Sequence, residues 1–367
     1  MVELFDFWVL LPLCAVYVGI HYILWLGLTR LSSPKHTNGH QGISVIVAAR
    51  NEEKNISSLL QSLVEQKYPS EQFEILVVND RSTDSTASIA ELFAHRHGNV
   101  RTINITSNSS DMPHKKNALR TAIAQSKFNI FAFTDADCLV PKNWLNEISE
   151  NFTNDVGVVA GYSPYMPAAP NSFLRYEEFK NSLIAASAIG LQNAFMCTGR
   201  NFAYRREVFE EVGGFEKIKH SISGDDDLFL QLVQRKTLWK IRYMTSLESY
   251  IRTVPPASFK QFVSQRTRHV SASIFYPKKI QLMYSLIHLF HLAVFAGFFF
   301  TPLFSLIALM VKFNADAAFI SHGKKLLGEE FSVPEFAADE TLLVLYSFCI
   351  APLGVLMKFD WKGSANT

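Results

Sequence analysis

Cysteine is scarce in this chain of 367 residues: four, at Cys14, Cys138, Cys197 and Cys349, far apart and in no CxxC or CxxH pair. That excludes a disulfide framework and gives no indication of a structural zinc site. Glycine-rich phosphate loops are also missing: no GxGxxG and no GxxxxGK[ST] occurs, so dinucleotide and P-loop readings lack the glycines they require. Charge of one sign is not in excess. Thirty-five Lys+Arg face 33 Asp+Glu, which offers no electrostatic case for nucleic acid. With only 17 Gly and 48% hydrophobic residues, neither a collagen-like nor a disordered chain fits.

What is present is apolar sequence concentrated at the ends. Phe7 to Leu28 contains no Asp, Glu, Lys or Arg and is long enough to cross a hydrocarbon core as a helix. Its acidic flank (Glu3, Asp6) argues for an uncleaved anchor, not a signal peptide. A second uncharged run, Ile280 to Val311, is too long for one untilted span; it is either one tilted helix or a hairpin turning near Thr301-Pro302. A third, Leu342 to Met357, is short, and can either cross or lie buried beside the others. The intervening segment from Lys312 to Phe331 has the mixed polarity of an amphipathic interfacial helix. Arg30 and Lys35 follow the first span and Lys278-Lys279 precede the second, which places the region between them in the cytoplasm. His288 and His291, spaced i, i+3 in the second run, read as packed or cavity-facing side chains in preference to a metal pair.

The middle of the chain alternates strand-like and helix-like segments. Ile43–Ala49 is a continuous apolar run suited to a strand buried on both faces, followed by a helical stretch over 52–66. Phe73–Asn79, Val100–Ile105, Asn129–Thr134 and Val156–Tyr162 continue the series, with a helix expected from about His114. This order implies an α/β fold with a doubly wound, mainly parallel sheet. Ligands in such sheets bind beyond the carboxyl ends of the strands. There the sequence places Arg50-Asn51-Glu52-Glu53, Asn79-Asp80 and Asp135-Ala136-Asp137. Acids converging on one edge repel one another unless a cation or hydrogen-bond donors share the site.

The ordered motifs ISVIVAARNEEKNI, VVNDRSTDST, HKKNAL, TDADC, TGRNFAYRREVFEEVGGF, SGDDDLFL and QRTRH resemble those of membrane-bound family 2 glycosyltransferases with the GT-A nucleotide-sugar-binding fold. The resemblance covers roughly residues 42–275. It implies an anchor over 1–30, a linker over 31–41, a catalytic domain over 42–275 and a membrane region over 276–367. By the resemblance, Asp135 and Asp137 match DxD and would hold Mg2+ or Mn2+; as i, i+2 neighbours on a strand they would share one face. Asp80 would contact the base or ribose, with Ala48, Asn51 and Glu52 lining the same pocket. Asp80 can also serve an Asx-turn or a helix cap, and Glu52 a helix dipole. Lys115 would pair with phosphate, and Lys116 is a plausible substitute because His114 stands where the pattern has Gly. Two solvated lysines is the plainer alternative.

Asp225 would be the catalytic base, with Asp226 the other candidate; Gly224 occupies the Glu position of the family's ED pair. Adjacent acids would raise the pKa of Asp225. Gln265 and Arg268 match QxxRW, with His269 in place of Trp, and would contact the diphosphate. Gly199 to Arg206 (GRNFAYRR) resembles the family's acceptor-side segment, in which Arg205 and Arg206 can instead be solvated.

The implied activity is inverting transfer from a nucleotide-diphospho-sugar to a lipid-linked or glycan acceptor at a membrane, with no nucleic-acid partner. A processive polysaccharide synthase and a non-catalytic nucleotide-sugar-binding subunit are the alternatives. A sugar-1-phosphate nucleotidyltransferase would begin with a glycine-rich loop where ARNEEKN stands.

Overall fold

The computed structural model describes residues 6–31, 39–106, 111–166 and 172–356, with the short strands Asp360–Trp361 and Ser364–Ala365 beyond. The expected linker falls largely outside these residues, as does Met357 at the end of the third apolar run.

The strands are β1 (Ile43–Ala49), β2 (Phe73–Asp80), β3 (Val100–Ile105), β4 (Ile130–Phe133), β5 (Cys138–Leu139), β6 (Val156–Gly161), β7 (Phe202–Arg205), β8 (Lys240–Met244) and β9 (Arg252–Thr253). Seven of them form one sheet in the order β3-β2-β1-β4-β7-β6-β8. All its pairings are parallel except those of β7, which runs antiparallel to both β4 and β6. β5 and β9 make a separate antiparallel pair.

The apolar run of β1 is continuous because both faces of the sheet are covered. Val45 and Val47 pack with Leu59, Leu60 and Leu63 of the helix Ile56–Val64 on one side. Ile46, between them in sequence, packs with Leu119 and Ile123 of the helix His114–Gln125 on the other. The register Ala49↔Asn79 brings the ends of β1 and β2 level, so the loops after both strands open on one edge. β7 matters to the same edge. Because it is antiparallel and pairs Phe202 with Phe133, it delivers the segment 197–201 beside Thr134 and Asp135.

Among the described residues, three helices are long and apolar enough to cross a membrane: Trp8–Thr29, Lys278–Gly297 and Pro302–Leu327. The second apolar run is therefore a hairpin, broken between Gly297 and Pro302. The mixed-polarity segment is not a separate interfacial helix. Its residues 312–327 continue the helix that starts at Pro302, and Lys312 and Asp316 are fully buried. The described part of the third apolar run, 342–356, belongs to the helix Val333–Leu356, which packs along the helix Phe259–Ala272. The N-terminal helix crosses the helix Ser172–Gly190 so tightly that a Cβ at Gly190 would lie 2.0 Å from the Gly27 carbonyl oxygen. Small residues at such crossings let backbones approach.

Candidate active site

Five aspartates and two lysines meet at the carboxyl edge of the sheet. β4 ends at Phe133, so Asp135 and Asp137 sit on the turn beyond it, where the Cys138 amide donates to the Asp135 carbonyl (3.2 Å). The expectation that a strand face would align the two carboxylates is thus corrected: a turn places them. Lys115, on the first turn of the helix His114–Gln125, bridges Asp135 (3.2 Å) and Asp225 (3.1 Å). Two residues distant by about a hundred positions are joined by one ammonium group.

The loop carrying Asp225 is fixed from below. Lys116 is fully buried and donates to the carbonyls of Ser221 (2.6 Å) and Ser223 (2.7 Å). Neither lysine is solvated, and Lys116 serves the loop instead of a phosphate. Gly224 has φ +82°, and a Cβ there would lie 2.5 Å from the Leu228 side chain, which explains why no Glu occupies this position. The other two acids of the motif face protein. Asp226 accepts from the amides of Asp227 (2.7 Å) and Gly199 (2.9 Å). Asp227 accepts from the Cys197 amide (2.7 Å) and from the Tyr276 hydroxyl.

These surroundings set the proton affinities. Burial opposes ionisation of Asp225, but Lys115 and Lys116 outweigh it and hold the carboxyl below its ordinary value. The expected rise at Asp225 is therefore reversed, and the rise falls on its neighbour. Burial and the charge on Asp225 push Asp226 up. At Asp135 burial is again outweighed, by Lys115, and the pKa is lowered. Burial and the nearby Asp135 carboxylate push Asp137 up to about 6. Lys115 is raised because Asp135 and Asp225 overcome its burial.

The nucleotide-side candidates occupy laced loops. Asn51 (φ +53°) accepts from the Thr83 amide (2.9 Å) while its own amide donates to Ser82 Oγ (3.1 Å). The Glu52 amide donates to Thr86 Oγ1 (2.8 Å), and its carboxylate accepts from Asn55 (2.8 Å). Asp80 is buried and accepts from Arg81 Nε (2.9 Å), while Arg81 also contacts His114 Nδ1 (2.8 Å). Ala48 lines a small pocket with Lys115, Asp135 and Asp225.

A cavity of about 620 Å3 gathers Lys115, Asp135, Asp225, Asp226, Gln265 and Arg268 along one wall. Asn51, Glu52, Asp80 and Asp137 lie outside that wall. Arg205 and Arg206 are not solvated: they donate to the carbonyls of Val156 (2.9 Å) and Ser126 (2.9 Å). Sequence reading missed Glu177, Glu178 and Lys180, which line the same cavity from the helix Ser172–Gly190, and also Tyr276 and Glu340. The signal available was the acid–base run EEFK inside an otherwise largely apolar helix. Among the described residues no group of three or more His, Cys, Asp or Glu converges as a metal cage.

The family model described as "Glycosyltransferase like family 2" matches residues 40–272. The glycosyltransferase AglE of Haloferax volcanii is 32% identical over 186 residues, 50% of this chain and 58% of that protein. The probable glycosyltransferase YdaM of Bacillus subtilis is 27% identical over 232 residues, 62% and 54% of the two chains. A beta-monoglucosyldiacylglycerol synthase of Synechocystis is 26% identical over 220 residues, 58% and 44%. The chain thus spans about half the length of these curated relatives. Among solved structures, the mannosyltransferase PcManGT from Pyrobaculum calidifontis, in complex with GDP-Man and Mn2+, superposes with a TM-score of 0.58. The alignment covers 97% of this chain and 99% of that one at 20% identity, a likeness of fold.

Proposed function

Because the chain belongs to the glycosyltransferase-like family 2, we propose that it is a membrane-bound, inverting transferase moving a sugar from a nucleotide-diphospho-sugar to a lipid-linked or glycan acceptor. The observation that carries this reading is the Lys115 bridge. It joins the candidate base Asp225 to the DxD residue Asp135 at one end of a cavity that runs on between apolar helices. In a single displacement, the acceptor hydroxyl oxygen bonds to the anomeric carbon as the bond from that carbon to the diphosphate oxygen breaks. The diphosphate leaves with the electron pair, and the hydroxyl proton passes to the Asp225 carboxylate. Asp225 is held ionised and so is ready to accept a proton. Diphosphate oxygens competing for Lys115 would loosen its pairing with Asp225 and raise the proton affinity of the base when the donor is bound. Arg268, on the same wall, is placed to grip those oxygens.

The residues fit a divalent cation. Asp137 is pushed up by burial and by the neighbouring Asp135 carboxylate, and a cation there would offset both. Asp135 and Asp137 would hold Mg2+ or Mn2+, whose chemistry is to neutralise the departing diphosphate. Donor phosphates and water would complete the shell. The nucleoside would lie against Ala48 and the laced loops of Asn51, Glu52 and Asp80. The lysines and arginines flanking the apolar helices support a catalytic domain on the cytoplasmic side. The name of the Synechocystis relative supports a lipid acceptor.

The test is incubation of detergent-solubilised protein with labelled nucleotide sugars, Mn2+ and extracted lipids. Label in the lipid fraction, lost on chelation and in Asp137→Asn, is the expected outcome. A high-molecular-weight product would identify a polymerising synthase, and donor binding without any product a binding subunit.

A further inference from the structure

The cavity of about 620 Å3 has two unlike ends. One holds the aspartates and Lys115. The other runs between the helices Lys278–Gly297 and Val333–Leu356, past Tyr284, His288, His291 and Ser347. Its volume is that of a ligand pocket, roughly 300–1,000 Å3. His288 lies nine positions beyond Lys279, roughly 14 Å along a helix that is long and apolar enough to span a membrane.

Lys115 and Arg268 aside, the cations that line the cavity are already engaged. Lys180 holds Asp316 (3.0 Å) and Glu340 (2.7 Å), Arg200 holds Glu178 (2.8 Å), and Arg266 holds Glu177 and the Tyr165 hydroxyl. The two histidines differ. His288 Nδ1 lies 2.8 Å from the Tyr284 carbonyl, which can only accept, so Nδ1 carries the proton and Nε2 of the neutral ring presents a lone pair. That Nε2, and both ring nitrogens of His291, are buried without a hydrogen-bond partner among the described residues. Such groups cost about 1–3 kcal/mol each when left unpaired. In membrane segments, polar side chains that face a cavity mark substrate paths.

We propose that this end of the cavity receives the acceptor, and that the acceptor is an uncharged, hydroxyl-bearing lipid headgroup recognised by His288 and His291. The inference rests on the transferase reading above and names the acceptor class for it. A headgroup hydroxyl donates to His288 Nε2, while a phosphate finds each of Lys180, Arg200 and Arg266 holding a carboxylate. At the reacting end the argument repeats. A phosphate nucleophile would be brought against the ionised Asp225, and like charges in a buried site repel. A base is required only when the nucleophile is a hydroxyl, and Asp225 is placed to be one. Glycolipids, whose headgroups carry hydroxyls beyond the one that reacts, meet these conditions; a polyprenyl phosphate does not.

The test places the full chain in phosphatidylcholine vesicles with labelled nucleotide sugars and Mn2+. The acceptor is diacylglycerol, a monohexosyldiacylglycerol or undecaprenyl phosphate. Label should enter the monohexosyldiacylglycerol; label in diacylglycerol alone overturns the role given to His288. His288→Phe should raise the KM for that lipid about tenfold or more, with the donor KM within about twofold of wild type. His288→Gln, which returns an amide near the Nε2 position, should recover most of the loss. His291→Leu provides a second variant read in the same way should His288→Phe not fold. Label only in undecaprenyl phosphate, no label in any lipid by a protein that binds donor, or an unchanged lipid KM in the variants overturns the proposal. Failure of the wild type to bind any nucleotide sugar would instead sink the transferase reading itself.

Discussion

The aspartates at the sheet edge and the ion pairs among the apolar helices are both buried, yet their charges are balanced differently. At the edge, Asp135, Asp137, Asp225, Asp226 and Asp227 outnumber Lys115, Lys116 and Arg268, and Arg200 nearby is taken by Glu178. Among the helices, Lys180 and Lys312 meet Asp316 and Glu340, two against two. His21, Tyr17 and Tyr176 add hydrogen bonds to the same carboxylates. An excess of one sign is costly without an outside partner, so it marks a place where ligand charge is expected. A matched, fully bonded set needs no ligand and locks elements together. It joins the N-terminal helix, the helix Ser172–Gly190, the helix Pro302–Leu327 and the helix Val333–Leu356.

Substitutions should separate the two clusters. The largest effect is expected for Asp225→Asn, which should lower turnover by about 10^2–10^4-fold. Its melting temperature should fall by less than that of Lys312→Met, because Lys115 keeps Asp135 as a partner; an equal or larger drop would make Asp225 structural and break the contrast. Lys312→Met should act mainly on stability, destabilising the detergent-solubilised protein by about 3–5 kcal/mol because two buried carboxylates lose one of their two ammonium partners. Combining it with Glu340→Gln should cost less than the sum of the two single changes, measured as a double-mutant cycle of melting.

Tyr276→Phe probes the tie between the sheet edge and an apolar helix, since Tyr276 precedes the helix Lys278–Gly297 and bonds Asp227. It should lower kcat by up to about tenfold with donor affinity unchanged. The smallest effect concerns Lys116, which burial lowers from 10.5 to about 8. Between those values the unfolded chain holds a proton that the folded chain has released, so this group's contribution to stability grows as pH rises. Unfolding measured from pH 8 to 10 should show that slope in the wild type and a smaller one in Lys116→Met.

Much of the fold was legible because the strand signal is local. The apolar runs at 43–49, 73–79 and 156–162 needed only burial on both faces to be read as strands, and the break at Thr301-Pro302 could be read from proline. The antiparallel insertion of β7 was not legible, since nothing in FAYR states its direction. At the site, residue types pointed to Lys115, Asp135 and Asp225, but not to who pairs with whom. The pKa of Asp225 was misjudged because its acidic neighbours are adjacent in sequence, whereas Lys115 and Lys116 are adjacent only in space. The segment 312–331 looked amphipathic because Lys312 and Asp316 are charged; their partners, Lys180 and Glu340, lie far away in the chain.

By itself the sequence determined the alternation that builds a doubly wound sheet, the apolar ends, and the acids at the strand ends, because periodicity, hydropathy and residue chemistry are properties of short stretches. Only the tertiary structure decided which acids are neutralised and which are left in excess, and that one cavity joins Asp225 to His288. Charge balance and enclosure depend on what distant segments bring to the same few ångströms.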